Sequence, residues 1–310
     1  MKILITGIHG FVGSNLVRAL SKAHTIYGLD IINPHKEGVR YTFGWEYLDM
    51  PNKLPEVDAI IHLAGKAHDT KNEAAADVYF KVNTGLTQKI FDFFLAQKSI
   101  KKFVFFSTAK AAADKVEGVL TEDVVPAPVG PYGESKIAAE KYILEHMPED
   151  KCVYIFRPCM IHGPGNKGNL NLLYNMVRKG IPWPLGAFDN RRTFTSVENI
   201  CFAVNGVLTK DVSSGIYNMG DDEALSTNEL IELICWSLGK RPLIWKLPKG
   251  LMTSLARVGG WLHLPLNPER LRKLTESYVS SNAKIKKALG VDKMPVDARS
   301  GLDVTLRSFR

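Results

Sequence analysis

The strongest constraint on this chain is a repeated order of elements. An apolar run, KILI, leads into TGIHGFVG and then into the helix-patterned stretch FVGSNLVRALSKA. The same strand-then-helix order recurs along the first half. Strands are expected at residues 2–6, 25–29, 59–63, 102–107 and 152–156, and helices at 11–23, 74–97 and 132–146. Runs such as AIIHLA and FVFFS are too apolar for a sheet with one wet face, so they read as strands covered on both sides. Strands that alternate with helices in this way predict an α/β fold with a doubly wound parallel sheet.

The texture changes after Ile161. HGPGNKGN is glycine-rich, and IPWPLG and RPLIWKLP are punctuated by proline. A smaller C-terminal α/β lobe is expected at 163–193 and 219–310. The first domain, 1–162, regains a return segment near 194–218. At 310 residues, 45% hydrophobic and 23% charged, the chain can bury such a two-lobed core.

TGIHGFVG places Gly7, Gly10 and Gly13 at steps of three between a strand and a helix. Glycine lets backbone approach a ligand closely, and a helix N-terminus attracts a pyrophosphate. The turn reads as a phosphate cradle or as a plain strand-to-helix bend. Asp30, at the end of the second strand, sits where an acid would hold a ribose hydroxyl pair. It would repel a 2′-phosphate and so favours NAD over NADP. Its other reading is a solvated turn residue.

PYGESK places Tyr132 and Lys136 four residues apart at a helix start, on one face. A nearby ammonium and an oxidised nicotinamide would lower the phenol's pKa from about 10 and make it a proton carrier. Lys136 could also hold the nicotinamide ribose. Upstream, FVFFSTAKA ends a buried strand on Ser107 and Thr108, and Thr108 could bond the same reacting oxygen. An exposed helix face and a strand-ending hydroxyl pair are the alternatives.

Here the chain resembles the extended short-chain dehydrogenase/reductases, the NAD-dependent epimerase/dehydratase group. TGIHGFVG, IIHLAGKAH, VNTGLTQ, FFSTAK, YGESK, RPCMIHGPG and SSNAKIKKALG carry the likeness over nearly the whole chain. The resemblance implies a Rossmann-like fold, NAD as cofactor and a nucleotide-sugar substrate. It implies a catalytic trio of Thr108, Tyr132 and Lys136. It also implies a cofactor surface of Gly7, Gly10, Phe11, Val12, Gly13, Asp30, Leu63, Ala64, Gly65 and Asn83, with Tyr132 and Lys136. His162 and Asn282 stand where the family often has Tyr and Asp. The 4,6-dehydratase branch carries Thr-Asp-Glu where this chain has Thr108-Ala109-Lys110, which argues against dehydration. Other segments are similar to bacterial 4-keto reductases and 4-epimerases of UDP-N-acetylhexosamines in surface-polysaccharide synthesis, the UDP-N-acetylquinovosamine dehydrogenase type. That likeness implies hydride movement at sugar C4. It assigns Arg192 and Asn169 to the substrate diphosphate, with Arg270 or Arg272 as a second clamp.

Charge and composition bound the partners. Residues 240–310 hold 15 Lys+Arg against 5 Asp+Glu, a balance of +10, whereas the first 239 carry 25 against 27. No nucleic-acid-binding signature accompanies the basic segment, so no nucleic-acid partner is expected. The four scattered cysteines predict neither a disulfide framework nor a metal site. No leader or membrane span is expected, and a cytoplasmic homodimer is the anticipated form. GLMTSLARVGGWLHLPL (250–266) reads as core or dimer packing, or as a peripheral membrane contact. A non-catalytic NAD sensor and a membrane-docked assembly protein are the competing classes.

Overall fold

The structure, a computed structural model, describes residues 1–67, 75–166, 168–262 and 266–309. β1 (Lys2–Thr6) passes through the glycine turn into α1 (Phe11–Leu20), and β2 (Thr25–Leu29), β3 (Val39–Phe43) and β4 (Ala59–His62) follow. α2 (Ala76–Tyr79), a π-helical turn (Phe80–Gly85) and α3 (Leu86–Ala96) form one continuous helical stretch. β5 (Lys102–Phe106), α4 (Ala109–Ala112), β6 (Val119–Leu120), α5 (Pro131–Glu145) and β7 (Cys152–Pro158) complete the first half. The second half runs β8 (Met160–His162), α6 (Asn169–Arg178), β9 (Arg192–Ser196), α7 (Val197–Thr209) and β10 (Gly215–Met219). It ends with β11 (Ala224–Leu225), α8 (Thr227–Ser237), α9 (Lys249–Trp261), α10 (Pro268–Thr275), β12 (Val279–Ser280), α11 (Ala283–Leu289) and α12 (Ala298–Arg307).

Seven parallel strands form the main sheet in the order β10-β7-β5-β4-β1-β2-β3. The strand order reverses direction between β1 and β4. A crevice opens at such a switch point, outside the carboxyl ends of the strands. Within β5 the period of two sends Phe103 and Phe105 to one face and Val104 and Phe106 to the other. One face packs on α3 and α5 through Phe91, Phe94, Ala139 and Ile143. The other packs on α1, α7 and α11 through Leu16, Val204, Ile285 and Leu289. Truncating a buried phenylalanine in such a layer to Ala costs about 3–5 kcal/mol.

The second lobe has its own core, built by α6, α8, α9 and α12 around Tyr174, Ile234, Met252 and Leu302. α11, although it follows α10 in the chain, packs Ile285 and Leu289 into the first core. The five expected strands are all present, joined by β3 and β10. The helix expected over 11–23 stops at Leu20 and closes in a turn over Ser21–Ala23. The stretch expected over 74–97 is interrupted by the π turn, and its first residue lies outside the described ones.

Candidate active site

Gly7 adopts φ 67°, a left-handed conformation that suits glycine. Its N–H donates to Leu29 O at 2.9 Å, and Gly10 N–H folds back to Gly7 O at 3.0 Å. A Cβ on Gly7 would stand 2.9 Å from Ala64 N, and one on Gly13 would stand 2.6 Å from Gly7 O. The turn is therefore pressed between the ends of β1 and β4 with no room for side chains. α1 starts at Gly10 with no side-chain cap and no acid in its first turn. Its first N–H groups are thus available to an anion, at the positive end of the helix dipole. Phe11 lies beneath the Gly163-Pro164-Gly165 loop, and Val12 packs into the core. The Asp30 carboxylate accepts the N–H of His9 at 3.1 Å and of Ile31 at 2.8 Å, which draws it to the rim of the turn. A cavity of about 440 Å³ opens beside it, lined by Asp30, Asn33, Thr42 and Trp45 among others. An uncapped helix end, a glycine floor and an acidic strand end fit a dinucleotide.

The catalytic candidates meet at the ends of β4 and β5. Thr108 caps α4 and accepts the Lys110 N–H at 3.3 Å. α5 enters with Pro131 at its first position and brings Tyr132 to Thr108, whose side chain hydrogen-bonds the phenol. A Cβ on Gly133 would lie 2.7 Å from Lys110 O, so only glycine allows α5 this close to α4. One turn on, Lys136 donates to Phe106 O at 2.8 Å. A Cβ on Gly65 would meet both Asn83 Oδ1, at 2.9 Å, and Lys136 Nζ, at 3.1 Å. The segment after β4 and the helix that carries Tyr132 and Lys136 therefore share one wall.

The protein's own groups do not produce the expected lowering of the Tyr132 pKa by the Lys136 ammonium. Burial raises it, Tyr79 adds to the rise, and the Thr108 hydrogen bond opposes it only in part. Burial also lowers Lys136 to about 8, against the pull of Glu140 toward the ammonium. The lysine is held by a backbone carbonyl, and burial dominates over charge at the phenol.

A polar chain missed in the sequence ties the turn to the catalytic helix. Thr6 Oγ1 accepts the N–H of Leu63 and Ala64, at 3.2 and 3.0 Å, and lies 2.7 Å from His62 Nδ1. With both lone pairs used, the Thr6 hydroxyl donates to Nδ1. The Nε2–H then donates to Thr87 Oγ1 at 2.9 Å, and Thr87 donates to Asn83 O at 2.6 Å. Burial, and then the Lys136 charge, hold His62 well below its ordinary pKa, so it is neutral. Asn83, fully buried within the π turn, clamps the Lys66 backbone and donates to Ser135 Oγ. Ser135 closes the chain on Tyr132 O at 3.0 Å.

A second missed group lies beneath the catalytic helix. Ser107 Oγ donates to Glu140, which is fully buried. Arg157 meets the same carboxylate with Nε at 3.0 and 3.1 Å and with Nη2 at 2.5 Å. The fork-on-carboxylate geometry makes this a strong charge-assisted pair. Arg157 Nη1 has no partner among the described residues.

The residues expected to meet the substrate lie in or beside the second core. Arg192, at the start of β9, donates to Lys273 O at 2.6 Å and is pushed down in pKa by burial. Its neighbour Arg191 is exposed and pairs with Glu229 at 3.1 Å. Arg272 lies 3.2 Å from Asp114, which also holds Lys110 at 2.9 Å. Arg270 is on the exposed surface of α10. The backbone of Asn169 opens α6, and its side chain lies outside the described ones. His162 and Asn282 have structural partners: His162 contacts Thr305 at 2.9 Å and Asp221 at 3.2 Å, and Asn282 donates to Gly220 O and Asp222.

A glycine-turn dinucleotide cradle beside a Thr–Tyr–Lys group defines an oxidoreductase-type Rossmann enzyme. The chain belongs to the NAD dependent epimerase/dehydratase family, whose sequence profile matches residues 3–220, and NAD is its cofactor. It is 31% identical over 266 residues to a UDP-glucose 4-epimerase of Vibrio cholerae, covering 79% of this chain and 78% of that one. It is 26% identical to the N-acetyl-alpha-D-glucosaminyl-diphospho-ditrans,octacis-undecaprenol 4-epimerase of Escherichia coli O157:H7, over 92% of this chain and 84% of that one. The fold matches MoeE5, solved in complex with UDP-glucose and NAD, with a TM-score of 0.78 at 22% identity, covering 100% and 99% of the two chains.

Proposed function

We propose that this enzyme moves hydride at C4 of a UDP-hexose or UDP-N-acetylhexosamine, as a 4-epimerase or a 4-keto reductase. The observation that carries the reading is the Thr108–Tyr132 hydrogen bond at the start of α5, one turn before Lys136. NAD supplies the hydride acceptor and donor when bound. Tyr132 takes the proton from the sugar 4-hydroxyl or returns it, and Thr108 fixes the phenol's direction. Lys136, one turn on from Tyr132, is anchored on Phe106 O and would hold the nicotinamide ribose. Ala109 and Lys110 offer no carboxylate for eliminating water, so dehydration is outside this reading.

The test is to incubate purified protein with UDP-glucose or UDP-N-acetylglucosamine and follow the sugar by NMR. Appearance of the 4-epimer with NAD in catalytic amount marks an epimerase. Stoichiometric loss of NADH with a 4-keto sugar marks a reductase. NAD binding without turnover of either substrate type would leave a sensor and overturn the proposal.

Arg192 is assigned to the substrate diphosphate. A charge-assisted hydrogen bond to phosphate contributes roughly 1.5–3 kcal/mol. Arg192→Ala is therefore expected to raise the UDP dissociation constant about ten- to a hundredfold and to leave NAD affinity unchanged. Arg191→Ala, which loses an exposed pair with Glu229 and a bond to Ala224 O, should bind UDP almost normally. Calorimetry on NAD-loaded protein checks this, and equal UDP affinity in wild type and Arg192→Ala would remove Arg192 from the site.

A further inference from the structure

α9 carries two apolar faces where a surface helix needs one. Met252, Ala256 and Gly259 are buried against the lobe. About 100° round the helix from them stand Leu251, Leu255, Val258 and Leu262, spaced as one stripe and each about half exposed (48%, 49%, 51% and 51%). Trp261 flanks the stripe at 80% exposure. The extended segment leading into the helix adds Leu243 and Trp245, also exposed. Contiguous exposed apolar surface of this kind marks an interaction site.

The charges around the stripe select the occupant. Between Glu232 and Glu269 the chain has Lys240, Arg241, Lys246, Lys249 and Arg257 and no carboxylate. Arg241, Lys246, Lys249 and Arg257 are all exposed. A second copy packed two-fold on this face would bring these cations against their own equivalents with no acid to receive them. An anionic lipid surface supplies both requirements: acyl chains for the stripe and headgroup phosphates for its rim. Thirteen residues make a helix about 20 Å long, too short to span a bilayer but suited to lying in its surface. Trp261 has the half-apolar, half-polar character that favours headgroup depth.

We infer that the outer face of α9 docks this enzyme on an anionic membrane surface, with Leu251, Leu255, Val258, Trp261 and Leu262 inserted and Lys249 and Arg257 at the headgroups. The inference stands apart from the identity of the sugar substrate.

Co-sedimentation of the full chain with phospholipid vesicles tests it. Wild type should pellet with equimolar phosphatidylcholine–phosphatidylglycerol vesicles, remain largely in solution with pure phosphatidylcholine, and be released as salt rises. A basic residue near an anionic surface contributes about a fivefold gain in partitioning, so Lys249→Glu with Arg257→Glu should lower it by about twentyfold or more. Leu255→Asp with Val258→Asp should lower it by at least about tenfold. Melting temperature and NAD affinity should be unchanged in both double variants. Wild type that stays in the supernatant with anionic vesicles would overturn the inference. So would an unchanged bound fraction in both variants, or a Leu255→Asp/Val258→Asp variant whose only change is dissociation of a dimer in light scattering.

Discussion

Tyr132→Phe is expected to turn over at least about a hundredfold more slowly than wild type, the low end for removing a general acid/base. The change deletes one oxygen. It leaves the ring's T-shaped contact with Tyr79 in place, so melting temperature and NAD affinity should hold. Burial already raises the phenol's pKa, and Thr108 only partly offsets it. The phenol is therefore the resting form, ready to donate. Thr108→Val, which removes the opposing hydrogen bond, should act in the same direction with a smaller loss. Steady-state kinetics on a UDP-sugar, with cofactor affinity measured separately, checks both. Near-normal turnover in Tyr132→Phe would place the proton transfer on another group.

Glu140→Gln is expected to destabilise the fold by about 3–5 kcal/mol, because it leaves the buried Arg157 charge without its counter-ion. Replacing both partners with apolar residues, as in Glu140→Leu with Arg157→Met, should recover most of that loss, since desolvation offsets much of what the pair gains. Chemical denaturation of the single and double variants measures the difference. A second readout separates packing from positioning. Glu140 is the group that holds Lys136 up toward its ordinary pKa, against burial. In Glu140→Gln, Lys136 should lose its proton below the native value of about 8, seen by NMR of isotope-labelled lysine. The sign follows from charge: without the carboxylate, burial acts unopposed on the ammonium. Equal stability of Glu140→Gln and wild type, or an unmoved lysine titration, would contradict this assignment.

The glycine turn, the five central strands and the Tyr–Lys pair were legible because each depends on local rules. Close approach demands glycine, two-sided burial demands an apolar run, and one helix turn demands a spacing of four. β3 was not legible, since VRYTF lies at the sheet edge with Arg40 and Tyr41 exposed and no apolar run to report it. Glu140 and Arg157 were not legible for a different reason. In sequence, charged residues on a helix and a strand end look solvated, and only tertiary packing buries them together. His62 stood in the noticed IIHLA segment, but its two threonine partners come from separate elements. The direction of the Tyr132 shift depended on how deeply the ring is enclosed, which spacing does not encode.

The π turn over Phe80–Gly85 has a consequence for how this chain can vary in length. Such a turn closes its hydrogen bonds one residue later than an α-helix does, so it acts as one inserted residue. Deleting one residue there would let the turn relax to a regular α-helix with the phase of α3 kept, because the turn already absorbs the roughly 100° that one residue adds. Ile90, Phe91 and Phe94 would stay on the sheet, but Asn83 would lose the wider turn that sets it on Lys66 and Ser135. The core thus reads a helix of unbroken phase, and the extra residue serves the polar cluster around Asn83 alone.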